Sequence, residues 1–142
     1  MLCMTLRYQV WGITFVRIYK NIWFAKFARK EKINDASLCD AVCRVEQGLI
    51  DADLGGGLVK QRVAREGEGK SGGYRTLIFF RSGERAVFVA GFAKNDKANL
   101  NALELAELKK AAKLVLTFSQ DRIENEVQAG RLTEVKHGNE NL

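Results

Sequence analysis

Lys60, Arg62, Arg65, Lys70 and Arg75 fall within sixteen positions, on the stretch GGGLVKQRVAREGEGKSGGYR at residues 55–75. Cations gathered this closely suit a polyanion. Arginine offers a planar fork that matches two phosphate oxygens and keeps its proton, whereas lysine can also exchange one. The surplus is regional: residues 55–97 hold nine basic and four acidic residues, most of the chain's net charge of +6. That is the electrostatic footprint of phosphate binding, and equally of a solvated lysine-rich sheet face.

Other chemistries fit less well. GEGKS echoes a nucleotide-binding P-loop at Gly69, Lys70 and Ser71, but the motif's first glycine is replaced by Ala64. A strand, not the helix whose N-terminus would cradle the phosphates, follows Gly73. Cys3, Cys39 and Cys43 form no Cys-x-x-Cys pair and have only His137 to help them, so neither zinc nor a disulfide framework is expected. Cys39 and Cys43, four apart on a helix, read as small residues of its buried face, reduced as in a cytosolic protein.

The elements that must position these cations can be read locally. Arg17 to Tyr19 reads as a short strand. Asn21 then caps a helix with Ile22, Trp23, Phe24 and Phe27 and a basic end at Arg29 and Lys30. A second helix starts at Asn34 or Asp35, carries Leu38, Ala41, Val42 and Val45, and stops at Gly48, which makes a helical hairpin. Asp51 to Gly57 reads as a loop because of its three consecutive glycines. LVKQRVAR, YRTLIFFR and ERAVFVAGFAK are three strands, the last two joined antiparallel by a turn at Ser82 and Gly83. A capping box at Asn101 and Glu104 opens a closing helix whose stripe is Leu105, Leu108, Ala112, Val115 and Phe118.

These elements amount to one α+β domain: an N-terminal helical hairpin packed on a small, mainly antiparallel sheet, with a C-terminal helix. Its expected bounds are residues 17–118. Residues 1–16 read as an appended or mis-started segment that makes a poor signal peptide and is too short to span a membrane. Residues 119–142 read as a polar tail, partly helical or disordered. On strands, Lys60, Arg62, Arg75 and Lys94 would line one concave surface with Arg65 and Lys70 at its rim. Tyr74 is either a base-stacking platform or strand-start packing.

The order of helices and strands, the K-x-R element, GGYR, GFAKN and the helix opening ANLNALELAELKKAA together resemble the RelE/ParE superfamily of toxins from type II toxin–antitoxin systems, closest to the RelE/HigB-like branch. The resemblance covers residues 17–118. It implies a cytoplasmic, ribosome-dependent messenger RNA endonuclease that needs no metal or cofactor. In that reaction the RNA 2′-hydroxyl attacks the neighbouring phosphate, leaving a cyclic phosphate and a free 5′-hydroxyl. It further implies a cognate antitoxin with a helix-turn-helix DNA-binding segment as partner, besides ribosome and messenger RNA.

On this reading Lys60 is base or electrostatic partner, since a lysine crowded by cations yields its proton more readily. Arg62 and Arg75 clamp the transition state, Lys94 holds the phosphate or assists the leaving group, and Arg65 and Lys70 grip backbone phosphates. The chain departs from the best-known RelE toxins in having Asn95 and Asn101 where those carry arginine and tyrosine, which leaves the general acid unassigned. Two other readings stay open: a gyrase poison of the ParE kind, and a non-catalytic RNA- or ribosome-binding module.

Overall fold

A computed structural model describes residues 16–64, 73–93 and 100–136 of the chain. Strand β1 (Arg17–Asn21) leads into helices α1 (Ile22–Glu31) and α2 (Asp35–Glu46). The strands β2 (Ala52–Gly55), β3 (Leu58–Val63), β4 (Tyr74–Arg81) and β5 (Arg85–Ala93) follow. Helices α3 (Ala102–Thr117) and α4 (Gln120–Gln128) and strand β6 (Leu132–Glu134) complete the domain. The six strands form one sheet in the order β2-β3-β4-β5-β1-β6. Every pairing is antiparallel except that of β1 with β5.

Each strand alternates, so the sheet presents an apolar stripe on both faces. Against one face lie Phe24 and Ala28 of α1 and Leu38, Ala41, Val42 and Val45 of α2, over Ile18, Val59, Val63, Ile78 and Phe88. Against the other lie Ala112 and Leu116 of α3 and Ile123 of α4, over Leu58, Leu77, Phe79, Val87 and Leu132. The mixed α+β class holds, but the expected N-terminal helical hairpin does not. Strand β1 precedes the helices, and α1 and α2 spend their apolar faces on the sheet rather than mainly on each other.

Helix boundaries follow side-chain caps. Asn21, Asn34 and Asn101 each accept a backbone N–H of the first turn of α1, α2 and α3, and Glu104 reciprocates at Asn101 to close the capping box. The far end of α3 is held by a buried arginine: Arg85 Nη1 donates to the carbonyls of Val115 and Phe118 at 2.8 and 2.9 Å. Burial lowers the Arg85 pKa, yet the carbonyls it caps would otherwise be orphaned.

Two segments are more ordered than their composition predicts. The stretch containing Asp51 to Gly57 is an edge strand, β2, plus a tight turn at Gly55, Gly56 and Gly57, all at positive φ. Beyond Phe118, where a polar tail is expected, α4 buries Ile123 and β6 pairs with β1. Cys39 is a buried free thiol, as expected, but Cys43 is disulfide-bonded, which corrects the expectation of reduced thiols there. No helix among the described residues is long and apolar enough to cross a membrane.

Candidate active site

The sequence LVKQRV sends Leu58, Lys60 and Arg62 of β3 to the face covered by α3, and Val59, Gln61 and Val63 to the face covered by α2. The antiparallel register sets Arg75 of β4 directly opposite Arg62, and Leu77 opposite Lys60. Lys60 lies two residues from Arg62, about 7 Å along the strand. The three sequence-predicted cations on described strands therefore share one patch of one face.

A bulge in β5 decides what stands next to them. Leu77 pairs with Ala90 and Ile78 with Phe88, so Val89 is an extra residue. It resets the alternation, and Ala90 and Phe92 face the cationic side while Gly91 lies under Phe27 of α1. The bulge is fastened by Asn21, whose Nδ2 donates to the Val89 carbonyl at 3.3 Å while its Oδ1 accepts the Phe24 N–H at 2.8 Å. One residue thus joins the start of α1 to the kink that brings Phe92 opposite Arg75.

Two guanidiniums facing across a ladder repel, a cost of some tenths to about 1 kcal/mol. Asp51 lies between them, with Oδ1 3.3 Å from Arg62 Nε and Oδ2 3.8 Å from Arg75 Nε. Arg62 Nε is fully buried and has no aligned hydrogen-bond acceptor, so Asp51 compensates it as a nearby charge rather than through a directed bond. The arginine side chains remain 41% and 31% exposed. Among the described residues nothing accepts a hydrogen bond from their Nη groups, nor does Lys60 form a hydrogen bond or ion pair. Donors are therefore available to an incoming anion.

Asp51 is itself held from the opposite face. The Gln61 side chain is 1% exposed. Its Oε1 accepts the Asp51 N–H at 2.9 Å, and its Nε2 donates to the carbonyls of Leu49 and Ala41 at 3.0 and 3.2 Å. Thr76 Oγ1 donates to the Gln61 carbonyl at 2.9 Å, tying β4 to the same point. Arg44 Nη2 donates to the Arg62 carbonyl at 2.7 Å. An open depression of about 390 Å³, lined by Arg44, Leu49, Ile50, Asp51, Gln61 and Arg62, adjoins the pair.

Tyr74 does not join the site, which corrects its assignment to RNA binding. It is 2% exposed on the opposite face, edge-on to Phe27, with its hydroxyl donating to Glu31 at 2.9 Å. Asn101 is committed to capping α3. Lys94, Arg65, Lys70 and Asn95 lie outside the described residues. Among the described residues no three His, Cys, Asp or Glu side chains converge to hold a metal ion.

Two site residues escape the sequence reading. Asp51 is hidden because a glycine-rich loop, unlike a strand, has no register from which to predict neighbours. The signal was the symmetry of ADLGGGLVK, two short runs about a glycine turn, which places Ala52 opposite Lys60. Phe92 is hidden by the bulge. The family model of the RelE toxin of RelE/RelB toxin–antitoxin systems matches residues 16–135, and the chain belongs to that family.

Proposed function

We propose that this RelE-family chain is the toxin of a toxin–antitoxin pair and cuts messenger RNA on the ribosome without a metal. The observation that carries the proposal is the cross-strand pair Arg62 and Arg75, with Lys60 beside it, on one sheet face where no described residue accepts from their Nη and Nζ donors. RNA transesterification needs what such a cluster supplies. The 2′-oxygen attacks phosphorus, its proton leaves, the phosphorane gains negative charge, and the bond to the 5′-oxygen breaks as that oxygen takes up a proton.

In this reading Arg62 and Arg75 grip the non-bridging oxygens, and Lys60 takes the proton of the 2′-hydroxyl or stabilises the charge that forms. Lys94 serves the phosphate or the leaving oxygen, and Arg65 and Lys70 hold flanking RNA phosphates. Phe92, opposite Arg75 on the cationic face, takes the base-stacking role in place of Tyr74, which lies on the other face. A cognate antitoxin, carrying a DNA-binding helix-turn-helix segment, restrains the toxin in the cytoplasm.

The test is to induce the chain without an antitoxin and map transcript 5′ ends. New ends with a 5′-hydroxyl, lost in Lys60→Ala and Arg75→Ala proteins that remain folded, support the reading. Retained growth arrest in both variants would overturn the site. Intact transcripts with DNA-damage signalling would instead identify a gyrase poison.

A further inference from the structure

Resting on that nuclease reading, we propose that Asp51 is a positioning residue: it sets the spacing and orientation of the Arg62 and Arg75 guanidiniums and acts on RNA only through them. Its two oxygens are shared out, one near each Nε. A guanidinium approached at Nε keeps its two Nη groups for another partner, so one carboxylate leaves both forks free for phosphate. The carboxylate is not adventitious. Its own backbone N–H is anchored by the buried Gln61, whose amide also holds the carbonyls of Leu49 and Ala41. Among the described residues, Asp51 is the carboxylate beside the buried Arg62 Nε, which has no hydrogen-bond acceptor.

The charge of Asp51 makes the proposal distinctive. A carboxylate beside a phosphate site opposes phosphate binding by simple Coulomb repulsion, so its presence weakens affinity while ordering the donors. Positioning and binding should therefore move in opposite directions when it is removed. In Asp51→Asn, a ribosome-free RNA oligonucleotide carrying a 2′-deoxy group at the scissile position binds as tightly as to the parent chain, or two- to fivefold more tightly. Single-turnover cleavage of messenger RNA on programmed ribosomes slows at least tenfold, and Asp51→Glu restores part of that rate. A residue needed only for folding would lower both readouts, and a place-holder that competes with phosphate would raise both. Either result, or no change in cleavage, overturns the proposal.

A second measurement does not depend on cleavage. The Nε–H resonances of Arg62 and Arg75 in the free protein should be distinct in the parent chain and collapse toward the solvent-exposed arginine position in Asp51→Asn, with the amide spectrum otherwise preserved. Unchanged Nε–H signals overturn the positioning role. Signals that collapse in Asp51→Asn as expected, with a parent chain that cuts no RNA, overturn the nuclease reading instead.

Discussion

Replacing Gln61 by leucine separates the support of the site from the site itself, because Gln61 points away from the cationic face and its side chain lies among buried groups of the other. The substitution keeps approximate volume and removes three hydrogen bonds, those to Asp51 N–H, Leu49 carbonyl and Ala41 carbonyl. Each bond contributes roughly 0.5–1.5 kcal/mol net, and a buried group left unsatisfied costs about 1–3 kcal/mol. Leu49 is exposed, so its carbonyl and the nearby Asp51 N–H can rehydrate, which keeps their losses at the low end. The Ala41 carbonyl sits within the helix over the sheet and retains its helical donor, which limits its penalty as well. The sum is about 2–3 kcal/mol. Urea denaturation should show it as a lowered midpoint at unchanged slope, since the slope reports exposed surface rather than stability. Folded Gln61→Leu protein should also cleave more slowly than the parent, since Asp51 has lost its anchor. A loss below about 0.5 kcal/mol would refute the claim that this amide holds residues 49–51 to β3.

Tyr74→Phe, which removes the hydroxyl bonded to Glu31, should cost about 0.5–1.5 kcal/mol in thermal denaturation. It should leave cleavage within about twofold, since base stacking is not its role; a large loss of RNA affinity would restore that role. Gly91→Ala would press a Cβ into the Phe27 ring, and overpacking of this kind costs about 1–3 kcal/mol. The double variant Gly91→Ala with Phe27→Leu should recover part of that loss, and no recovery would show that the contact is not the cause. Glu126 accepts from Arg131 and Arg122, which hold its carboxyl at about 2 against an ordinary 4.5. A depressed carboxyl contributes stability above its unfolded value that is lost as pH falls. Glu126→Gln should therefore flatten the decline in urea midpoint between pH 4.5 and 2, and an unaltered decline would rule the ion pairs out as its source.

Features encoded by neighbours in sequence were legible. Asn21, Asn34 and Asn101 announce three helix starts because a cap needs only the next three residues. The face shared by Lys60 and Arg62 follows from alternation alone. The same parity argument, carried one residue back from Arg75, would have put Tyr74 on the opposite face. What stayed hidden depends on partners far along the chain. LTE becomes strand β6 only because β1 lies open to pair with it, and nothing in AVFVAGFA marks Val89 as the bulged residue. Asp51 meets two arginines through the combined register of β2, β3 and β4, of which the glycine turn signals only the first pairing.

The way the sheet closes also governs when it can form. Strands β3, β4 and β5 are consecutive antiparallel neighbours and can pair as they are made. Strand β1, which precedes them, must pair with β5 and then receive β6, matching Tyr19 to Glu134 across most of the chain. Such long-range closure is entropically late and slow. The loop from β1 back to β6 thus acts as a timer. During synthesis the arginine-bearing meander can assemble first, but the finished sheet awaits the emergence of residue 134.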